Sequence, residues 1–320
     1  MSAFNLDKDK IAAAADAVHR QIGASPQICW PLLARRAGTE LWVKHENHLP
    51  TGAFKVRGGL TYMANLRRDQ PQVTGVVAAT RGNHGQSVAF AAAKQGLQAT
   101  VLVPLGNSTA KNAAMRALGA ELIEHGHDFQ AAYEFAQDLA RERGLHMVSS
   151  FHPWLIEGVA TYPVELFTAC PDLDTVYVPI GLGSGICSTI AARDMLGLRT
   201  KVVGVVSAHA AAYALSFKAG QAVSTNSADT IADGMACRVP VAEALSILLR
   251  GAERIVEVTD DEVKAAMRAY FDDTHNVAEG AGAAALAALL KDGAAQAGRK
   301  VGVVLSGGNV DAPLFRSVLD

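Results

Sequence analysis

The sequence predicts an α/β protein with two domains, each built on a mostly parallel, twisted sheet flanked by helices. Short runs rich in β-branched residues alternate with longer segments in which apolar residues recur at helical spacing. This alternation is typical of βα units, in which helices connect parallel strands. It occurs in two separate series, and a chain of 320 residues is long enough to bury two modest cores.

A predicted strand over residues 41–45 precedes the first series. Three strand and helix pairs follow it, at 75–79 with 84–96, 99–103 with 110–118, and 121–124 with 128–143. The second series pairs 175–179 with 184–196 and 201–206 with 209–219, and it ends with a strand over 301–305 and a short helix. The alanine-rich segment 281–290 predicts a tightly packed helix.

The domain division follows from these two series. Phe151-His152-Pro153-Trp154 marks the return from a small inserted domain to a larger one. We therefore expect residues 51–150 to form a small inserted α/β domain, and residues 1–50 and 151–320 to form the large domain. No Gly/Ser-rich linker fixes either boundary.

Composition excludes several classes of function. Half of the residues are hydrophobic and the formal net charge is −2, so no broad basic surface is available for nucleic acid or anionic membrane. The four cysteines form no CxxC pair, which argues against a disulfide framework or a zinc site. The longest uncharged run, 175–192, contains proline and glycine, and the segment from Asn5 to Asp9 lacks the apolar core of a signal peptide. We expect a cytoplasmic protein without membrane or nucleic-acid partners.

A single lysine stands out as a candidate for covalent chemistry. Lys55 lies between a turn and a helix start, directly after the predicted strand 41–45, where a Schiff-base lysine would be expected. Three polar or glycine-rich turns, 80–85, 181–185 and 306–309, each follow a hydrophobic strand. One amine and three such turns suggest a bound phosphorylated aldehyde cofactor.

The glycine loop Gly181-Leu182-Gly183-Ser184-Gly185 has more than one interpretation. In a dinucleotide-binding fold, a carboxylate about 20 positions later holds the ribose. The corresponding strand here ends at Ser207 without a carboxylate. A phosphate cup is favoured over a simple tight turn, because glycines allow close backbone approach and the following helix directs its N–H groups at an anion.

Four motifs in order carry a family resemblance over nearly the whole chain. They are Glu46-Asn47-His48-Leu49-Pro50-Thr51-Gly52-Ala53-Phe54-Lys55-Val56-Arg57-Gly58, Gly82-Asn83-His84-Gly85-Gln86, Thr230-Ile231-Ala232-Asp233-Gly234 and Ser306-Gly307-Gly308-Asn309. Together they resemble the serine/threonine dehydratase branch of the pyridoxal-phosphate enzymes of tryptophan-synthase-β type (fold type II), whose members include serine racemase. The resemblance implies the same two-domain fold.

The resemblance also implies roles around pyridoxal 5'-phosphate. Lys55 would form the imine with the cofactor, Asn83 would bind its ring hydroxyl, and Ser306 would face its ring nitrogen. The phosphate would be bound by Gly181, Leu182, Gly183, Ser184 and Gly185, and the remaining cofactor contacts would come from Phe54, Gly234 and Glu279. Glu279 could equally be an ordinary acid at a helix start, where the helix dipole favours it.

The substrate side would be formed by the loop Thr80-Arg81-Gly82-Asn83-His84, with Trp154 as an aromatic wall. Arg81 departs from the family, where a second serine is common and serves in the racemases as the opposite-face acid/base. Arginine cannot take a proton away. It could hold the substrate carboxylate or a second anionic group, or it could turn outward to a surface carboxylate. Trp154 could equally be packing, and His84 and His152 could be hydrogen-bonded structural histidines.

These roles imply β-elimination of water from a 3-hydroxy amino acid, giving a 2-oxo acid and ammonia. Threonine and serine are the expected substrates, and 3-phenylserine or 3-hydroxyaspartate remain alternatives. An amino-acid racemase is disfavoured by Arg81, a non-catalytic ligand sensor by Lys55 and Ser306, and a nicotinamide-dependent dehydrogenase by the missing ribose carboxylate.

Further expectations concern metal, regulation and assembly. In relatives with a divalent-cation site, two carboxylates stand where this chain has Val206 and Ala212, so we expect no magnesium or calcium there. Because the chain stops soon after its last motif, we expect no regulatory domain and no control by isoleucine. A homodimer is left open.

Overall fold

The computed structural model describes residues 6–320 as two sheets with helices packed on them. Asn5 and the residues before it, which belong to the predicted large domain, lie outside the described residues. The strands are β1 Gln27–Cys29, β2 Glu40–His45, β3 Gly75–Ala79, β4 Gln98–Val103, β5 Glu121–Glu124, β6 His146–Met147, β7 Thr175–Pro179, β8 Lys201–Ser207, β9 Arg254–Val258 and β10 Lys300–Leu305.

Helices connect most of these strands. They are α1 Lys8–His19, α2 Pro31–Ala37, α3 Lys55–Asp69, α4 Asn83–Lys94, α5 Thr109–Ala117, α6 Phe129–Arg143, α7 Pro153–Val159, α8 Thr161–Ala169, α9 Ser184–Met195, α10 Ala212–Ala219, α11 Ala242–Gly251, α12 Asp260–Thr274, α13 Gly280–Asp292 and α14 Ala312–Leu319. Short 3-10 turns occur at Glu46–His48, Asp233–Met235 and Gly293–Gln296.

The larger sheet has the strand order β1-β2-β10-β7-β8-β9 within the described part of the chain. Its neighbouring strands are parallel except β1 and β2, which pair antiparallel with Gln27 opposite Lys44. In β10 every residue after Lys300 is buried, as expected for a parallel strand that is covered on both faces.

The smaller sheet has the order β5-β4-β3-β6, and all of its pairs are parallel. Its strands lie between residues 75 and 147, whereas those of the larger sheet lie in 27–45 and 175–305. The prediction of two mostly parallel sheets is therefore confirmed. The exact boundaries at residues 50 and 150 stay a prediction.

Helix α13 accounts for the alanine-rich segment. Its residues from Gly280 to Leu289 are all buried, and it packs on α12 and on the strands of the larger sheet. A Cβ built at Gly282 would lie 2.1 Å from the carbonyl oxygen of Gly307, so a side chain at this position would displace the backbone that follows β10. The expected tightly packed helix is confirmed.

Some elements were absent from the sequence prediction. Strand β9 and helix α12 belong to the larger half, and a capping box between Thr259 and Glu262 begins α12. The predicted helix 209–219 begins instead at Ala212, because the residues after Ser207 form a turn in which the His209 N–H donates to Ser207 Oγ at 3.2 Å. Between Leu6 and Asp320, no helix is both long and apolar enough to cross a membrane.

Candidate active site

A cleft of about 640 Å³ opens beyond the carboxyl ends of β3 and β7, one strand from each sheet. Ligands bind at this edge in open parallel sheets. Of the residues predicted for the site, ten line the cleft: Lys55, Thr80, Arg81, Gly82, Asn83, His84, Gly181, Leu182, Gly234 and Glu279. Four further predicted residues are chain neighbours of these ten: Phe54, Gly183, Ser184 and Gly185. Ser306 is linked to Phe54 by a backbone hydrogen bond. Trp154 does not line the cleft.

Lys55 is the first residue of α3, and hydrogen bonds to the backbone around it fix its position. Its carbonyl accepts a hydrogen bond from Ser87 Oγ at 2.6 Å, and the Phe54 N–H donates to the Ser306 carbonyl at 3.0 Å. Within residues 6–320 the amine has no hydrogen-bond acceptor, and it lies 4.9 Å from the centre of the Phe54 ring. Burial lowers the pKa of Lys55, although the charge of Glu279 acts against this shift.

A buried ion cluster fixes the same turn of α3. Arg57 is fully buried, and its guanidinium donates to Glu46 at 2.7 Å and to Glu165 at 2.6 Å. Lys44 Nζ reaches Glu165 at 2.6 Å. Burial disfavours the charge on Arg57, but the two carboxylates outweigh it and raise its pKa. This cluster anchors the lysine-bearing turn to the larger half of the protein.

The glycine loop after β7 presents free N–H groups at the start of α9. Gly183 has φ 103°, which favours glycine, and it is the N-cap of that helix. The N–H groups of residues 182–186 have no acceptor within the described chain. A Cβ built at Gly181 would lie 2.1 Å from the Gly234 carbonyl oxygen, so two predicted cofactor glycines touch. Unpaired N–H groups at a helix start fit a phosphate.

A chain of hydrogen bonds from Glu279 through Asn83 to Asn309 connects two of the predicted motifs. Asn83 Nδ2 donates to Glu279 Oε1 at 2.6 Å, and Asn309 Nδ2 donates to Asn83 Oδ1 at 2.8 Å. Glu279 is the N-cap of α13, and its side chain makes no capping hydrogen bond but turns to Asn83. Burial raises the pKa of Glu279, against the opposing effects of Lys111 and of the Asn83 hydrogen bond.

The loop between β3 and α4 turns sharply above the cleft. Thr80 Oγ1 accepts a hydrogen bond from the Gly82 N–H at 3.0 Å. The N–H groups of Asn83, His84 and Gly85, in the first turn of α4, donate to no acceptor in the described residues. His84 is buried, and its Nε2 has no partner there either. Burial, with the charge of Lys55, lowers the pKa of His84 to about 3.

Arg81 lines the cleft and its side chain is exposed. It makes no hydrogen bond or ion pair with any residue from Leu6 to Asp320. The surface carboxylate that an outward-turned arginine would need is therefore not found in the described part of the chain. Arg81 is left as a cation at the cleft.

Ser306 directly follows β10 and is buried. Its neighbour Gly307 forms an antiparallel bridge with Ala53, two residues before Lys55. The Ser306 hydroxyl has no hydrogen-bond partner within the described residues, whereas its carbonyl is used by Phe54. The hydroxyl is therefore available to a ligand.

Trp154 is the residue expected as an aromatic wall beside the substrate. Its ring packs on Tyr62 and His152, with ring centres 5.3 and 4.9 Å apart, and it does not line the cleft. His152 Nδ1 accepts a hydrogen bond from the Trp154 N–H at 3.1 Å and caps α7, which confirms its structural role. Aromatic packing accounts for the contacts of Trp154, and a role beside the substrate stays a prediction.

Sequence reasoning missed part of the cleft. Lys111, at α5, lies 3.0 Å from Asp233 Oδ2. Further lining residues lie in the short stretches 128–130, 226–229 and 236–239. Asp233 stood within a quoted motif and could have been assigned, whereas Lys111 and the other stretches carry no local signal.

Apolar residues occupy the two positions where relatives with a cation site carry carboxylates, as read from the sequence. Val206 is in β8 and Ala212 begins α10, and both are fully buried. Across residues 6–320 no group of three or more His, Cys, Asp or Glu side chains is placed to hold a metal ion.

The cleft fits a phosphorylated aldehyde. It combines a desolvated amine without a partner, a helix start with unpaired N–H groups and, beside them, the unpaired hydroxyl of Ser306 at the end of β10. An amine can join an aldehyde, and the N–H groups suit a phosphate. Lys55 and the 181–185 loop would hold such a group.

Comparison with known proteins agrees with this chemistry. The family model described as pyridoxal-phosphate dependent enzyme matches residues 18–307. The L-threonine ammonia-lyase of Thermotoga maritima is 33% identical over 290 residues, which cover 90% of this chain and 72% of that protein. The structure of the processed form of threonine deaminase isoform 2 from Solanum lycopersicum superposes with a TM-score of 0.90 at 27% identity, covering 99% of this chain and 94% of that one. A pyridoxal 5'-phosphate-dependent aspartate racemase superposes with a TM-score of 0.91 at 29% identity, covering 98% of each chain.

Proposed function

This chain belongs to the pyridoxal-phosphate dependent enzymes, and on that premise we propose that it is an ammonia-lyase that eliminates water from 3-hydroxy amino acids, with L-threonine and L-serine as substrates. The observation that carries the proposal is the Lys55 amine, which faces the cleft without any protein acceptor in the described chain. When bound, pyridoxal phosphate supplies an aldehyde that joins an amine and a ring that withdraws electrons from the attached carbon.

Lys55 is suited to move the proton of the substrate α-carbon. Because burial lowers its pKa, a larger fraction of the amine is uncharged at neutral pH than for a lysine in water. Lys55 Nζ can therefore accept the proton and act as a general base. The ion cluster of Arg57 with Glu46 and Glu165 keeps this turn of α3 in place during the transfer.

The 181–185 loop and Ser306 complete the proposed cofactor site. The unpaired N–H groups at the start of α9 would hold the phosphate. Ser306 would offer the ring side of the cleft a neutral hydroxyl. A carboxylate in that place would hold a proton on the ring nitrogen, whereas a hydroxyl does so less, and this favours loss of a β-substituent over transamination.

The overall reaction is balanced without an oxidant. The Cα–H and Cβ–O bonds break, and a water molecule leaves. The released enamine tautomerises to an imine, water adds to the imine carbon, and ammonia leaves. The products are a 2-oxo acid and ammonium, and no net oxidation or reduction occurs.

An amino-acid racemase is the weaker alternative. Racemisation needs a group on the opposite face of the substrate that can both take and give a proton. The racemases of the family carry a serine at the position of Arg81, and a guanidinium stays protonated at neutral pH. Detection of the D-amino acid beside the 2-oxo acid would test this alternative in the same assay.

We propose further that the protein works in the cytoplasm in amino-acid breakdown. Cys170, Cys187 and Cys237 are buried free thiols, which suits a reducing compartment. A homodimer is compatible with the proposal, and light scattering on the purified protein would measure the assembly.

The proposal is tested by locating the cofactor and measuring the product. Borohydride reduction of the purified protein followed by peptide mapping should place the label on Lys55. Threonine and serine should each give 2-oxo acid and ammonia in equal amounts, and Lys55→Ala should give none. Lys94→Ala, which changes a lysine of α4 outside the cleft, is the control. A label on another lysine, or no 2-oxo acid from any 3-hydroxy amino acid, would overturn the proposal.

A further inference from the structure

Arg81 is an exposed positive charge among the residues that line the cleft. It lies at the tip of the loop between β3 and α4, and it has no hydrogen bond or ion pair with the described residues. An arginine left unpaired beside a ligand cleft is a ready binding group for carboxylate, because its planar fork matches the two oxygens.

The other charges around the cleft are largely accounted for. The lining cations are Lys55, Arg81, Lys111 and Arg238, and the lining acids are Asp128, Asp229, Asp233 and Glu279. Lys111 pairs with Asp233 at 3.0 Å and is close enough to Glu279 for their charges to interact. Asp128 Oδ2 lies 3.6 Å from His127 Nε2, and the charge of Arg238 also acts on Asp128 without forming an ion pair with it.

Three lining charges, those of Lys55, Arg238 and Asp229, then remain to be compared with Arg81. Lys55 is committed to the cofactor by the proposed function. Asp229 is exposed, and the described residues include no hydrogen-bond partner for it, so it is not paired with Arg81. Arg81 and Arg238 are therefore the two lining cations, other than Lys55, that have no ion pair within the described residues, and Arg81 is the one that lies two residues before the first turn of α4.

The α-carboxylate that all amino acids share has a separate binding group. The N–H groups of Asn83, His84 and Gly85 lie unpaired at the first turn of α4, where the helix dipole favours an anion. Arg81 precedes this turn and adds a second positive group beside it. The N–H groups of α4 are enough to bind the α-carboxylate, so the Arg81 guanidinium is not needed for that anion.

From this arrangement we propose that Arg81 makes the cleft selective for 3-hydroxy amino acids that carry a second carboxylate on the β-carbon, such as 3-hydroxyaspartate. The inference rests on the proposed function, since it concerns the substrate of the same site. The elimination keeps its balance: water leaves from Cα and Cβ, and hydrolysis of the released enamine gives a 2-oxo dicarboxylate and ammonium. The second carboxylate is retained unchanged.

The test uses a matched pair of unreactive ligands on the holoenzyme. Succinate and butanoate differ in one end group, a carboxylate in the first and a methyl in the second. Calorimetry should show that succinate binds the unmodified enzyme more tightly than butanoate. Arg81→Ser should weaken succinate by about tenfold or more, because a charge-assisted bidentate contact is lost, and should leave butanoate unchanged. Arg81→Lys should restore only part of the loss.

Two control variants test whether the change in succinate affinity is specific to Arg81. Arg35→Ser removes an exposed arginine that does not line the cleft, and it should change neither affinity. Asp229→Asn should not weaken succinate, because Asp229 is an acid at the rim. A loss in Asp229→Asn as large as that in Arg81→Ser would mean that Arg81 acts through Asp229, and the proposal would be overturned.

The Arg81→Ser variant can also give results that overturn the inference. Equal weakening of succinate and butanoate in Arg81→Ser would assign Arg81 to the shared carboxylate and overturn the inference, as would no change in either. In turnover, kcat/KM for 3-hydroxyaspartate relative to threonine should fall in Arg81→Ser. If threonine is converted but this ratio does not fall, the inference alone fails. If neither amino acid is converted, the proposed function fails, while succinate binding still reports on Arg81.

Discussion

Lys111 Nζ lies 3.0 Å from Asp233 Oδ2, and this ion pair joins the two halves of the cleft wall. Lys111 belongs to α5, between strands of the smaller sheet, and Asp233 lies between β8 and β9 of the larger sheet. The lysine side chain is 10% exposed and the aspartate 49%. Burial acts against the charge on Lys111, but Glu279 and Asp233 outweigh it and raise the pKa of the amine.

The unequal burial of this pair predicts unequal mutant effects. Lys111→Met leaves the buried Glu279 without its main cation, and we expect the free energy of unfolding to fall by about 1–3 kcal/mol. Asp233→Asn leaves Lys111 beside Glu279, and we expect a loss below about 1 kcal/mol. Chemical denaturation measures both, with Lys291→Met at the half-exposed Glu262 pair as the control. Equal losses in the two variants would contradict this account.

Ser306→Ala should separate catalysis from stability. The Ser306 hydroxyl makes no hydrogen bond within the described residues, so its removal should change the free energy of unfolding by less than about 1 kcal/mol. The variant should keep its bound cofactor, seen in the visible absorbance, and lose most of the elimination rate. Ser317→Ala, at an exposed serine of α14, is the control. Unchanged turnover in Ser306→Ala would show that the hydroxyl does not face the cofactor ring.

His45 predicts a pH dependence of stability. Its Nε2 accepts a hydrogen bond from Trp30 Nε1 at 2.9 Å, so the ring must be neutral there. Burial, with the charge of His48, lowers the pKa of His45 to about 4 from 6.5. Between these values the unfolded chain binds the extra proton, so stability falls as the pH drops from 6.5 toward 4, by up to about 1.4 kcal/mol per pH unit.

The measurement is chemical denaturation between pH 4.5 and pH 7.5 for the unmodified protein and for His45→Gln. Glutamine does not titrate, so the variant should lack the part of the slope that His45 contributes. His127→Gln, at an exposed histidine of the surface, should keep the full slope. Parallel curves for the unmodified protein and His45→Gln would contradict the assignment.

Activity should survive the removal of divalent metals. Val206 and Ala212 are buried and offer no side-chain oxygen where relatives with a cation site offer carboxylates. A hard divalent ion would find too few anionic ligands to offset its dehydration. Initial rates before and after exhaustive EDTA treatment, with magnesium then added back, test this expectation. A large loss that magnesium alone restores would mean that an ion binds elsewhere or that the 204–206 segment is wrongly aligned with the family.

The predicted strands agree closely with the structure, including β5 Glu121–Glu124, whose bounds are matched although the strand is not buried. The runs at β3, β7 and β10 are almost uninterrupted apolar segments, and their bounds agree with the structure to within one residue. Strand β9 was missed because Arg254 and Glu257 interrupt it at the sheet edge. The capping box of Thr259 with Glu262 was a readable signal for α12.

The site residues also differ in how readily the sequence identifies them. Lys55, Asn83, Gly181, Glu279 and the residues around them carry local motifs, and the fold brings them to one cleft. Lys111 and the rim at 226–229 come from segments whose sequence is unremarkable, so only the three-dimensional packing identifies them. Trp154 packs on Tyr62, so its place near the domain return has an explanation in packing, and its predicted substrate contact stays a prediction.

The contact between Gly282 and Gly307 also bears on how this enzyme could be re-engineered. The helix that fills the core and the turn that follows β10 share one close backbone approach, so any side chain at 282 would shift the turn that carries Ser306. Libraries that seek new substrates should therefore spare α13 and randomise the exposed rim at 226–229 and 238–239. Variation there can reshape the entrance while the catalytic turn keeps its position.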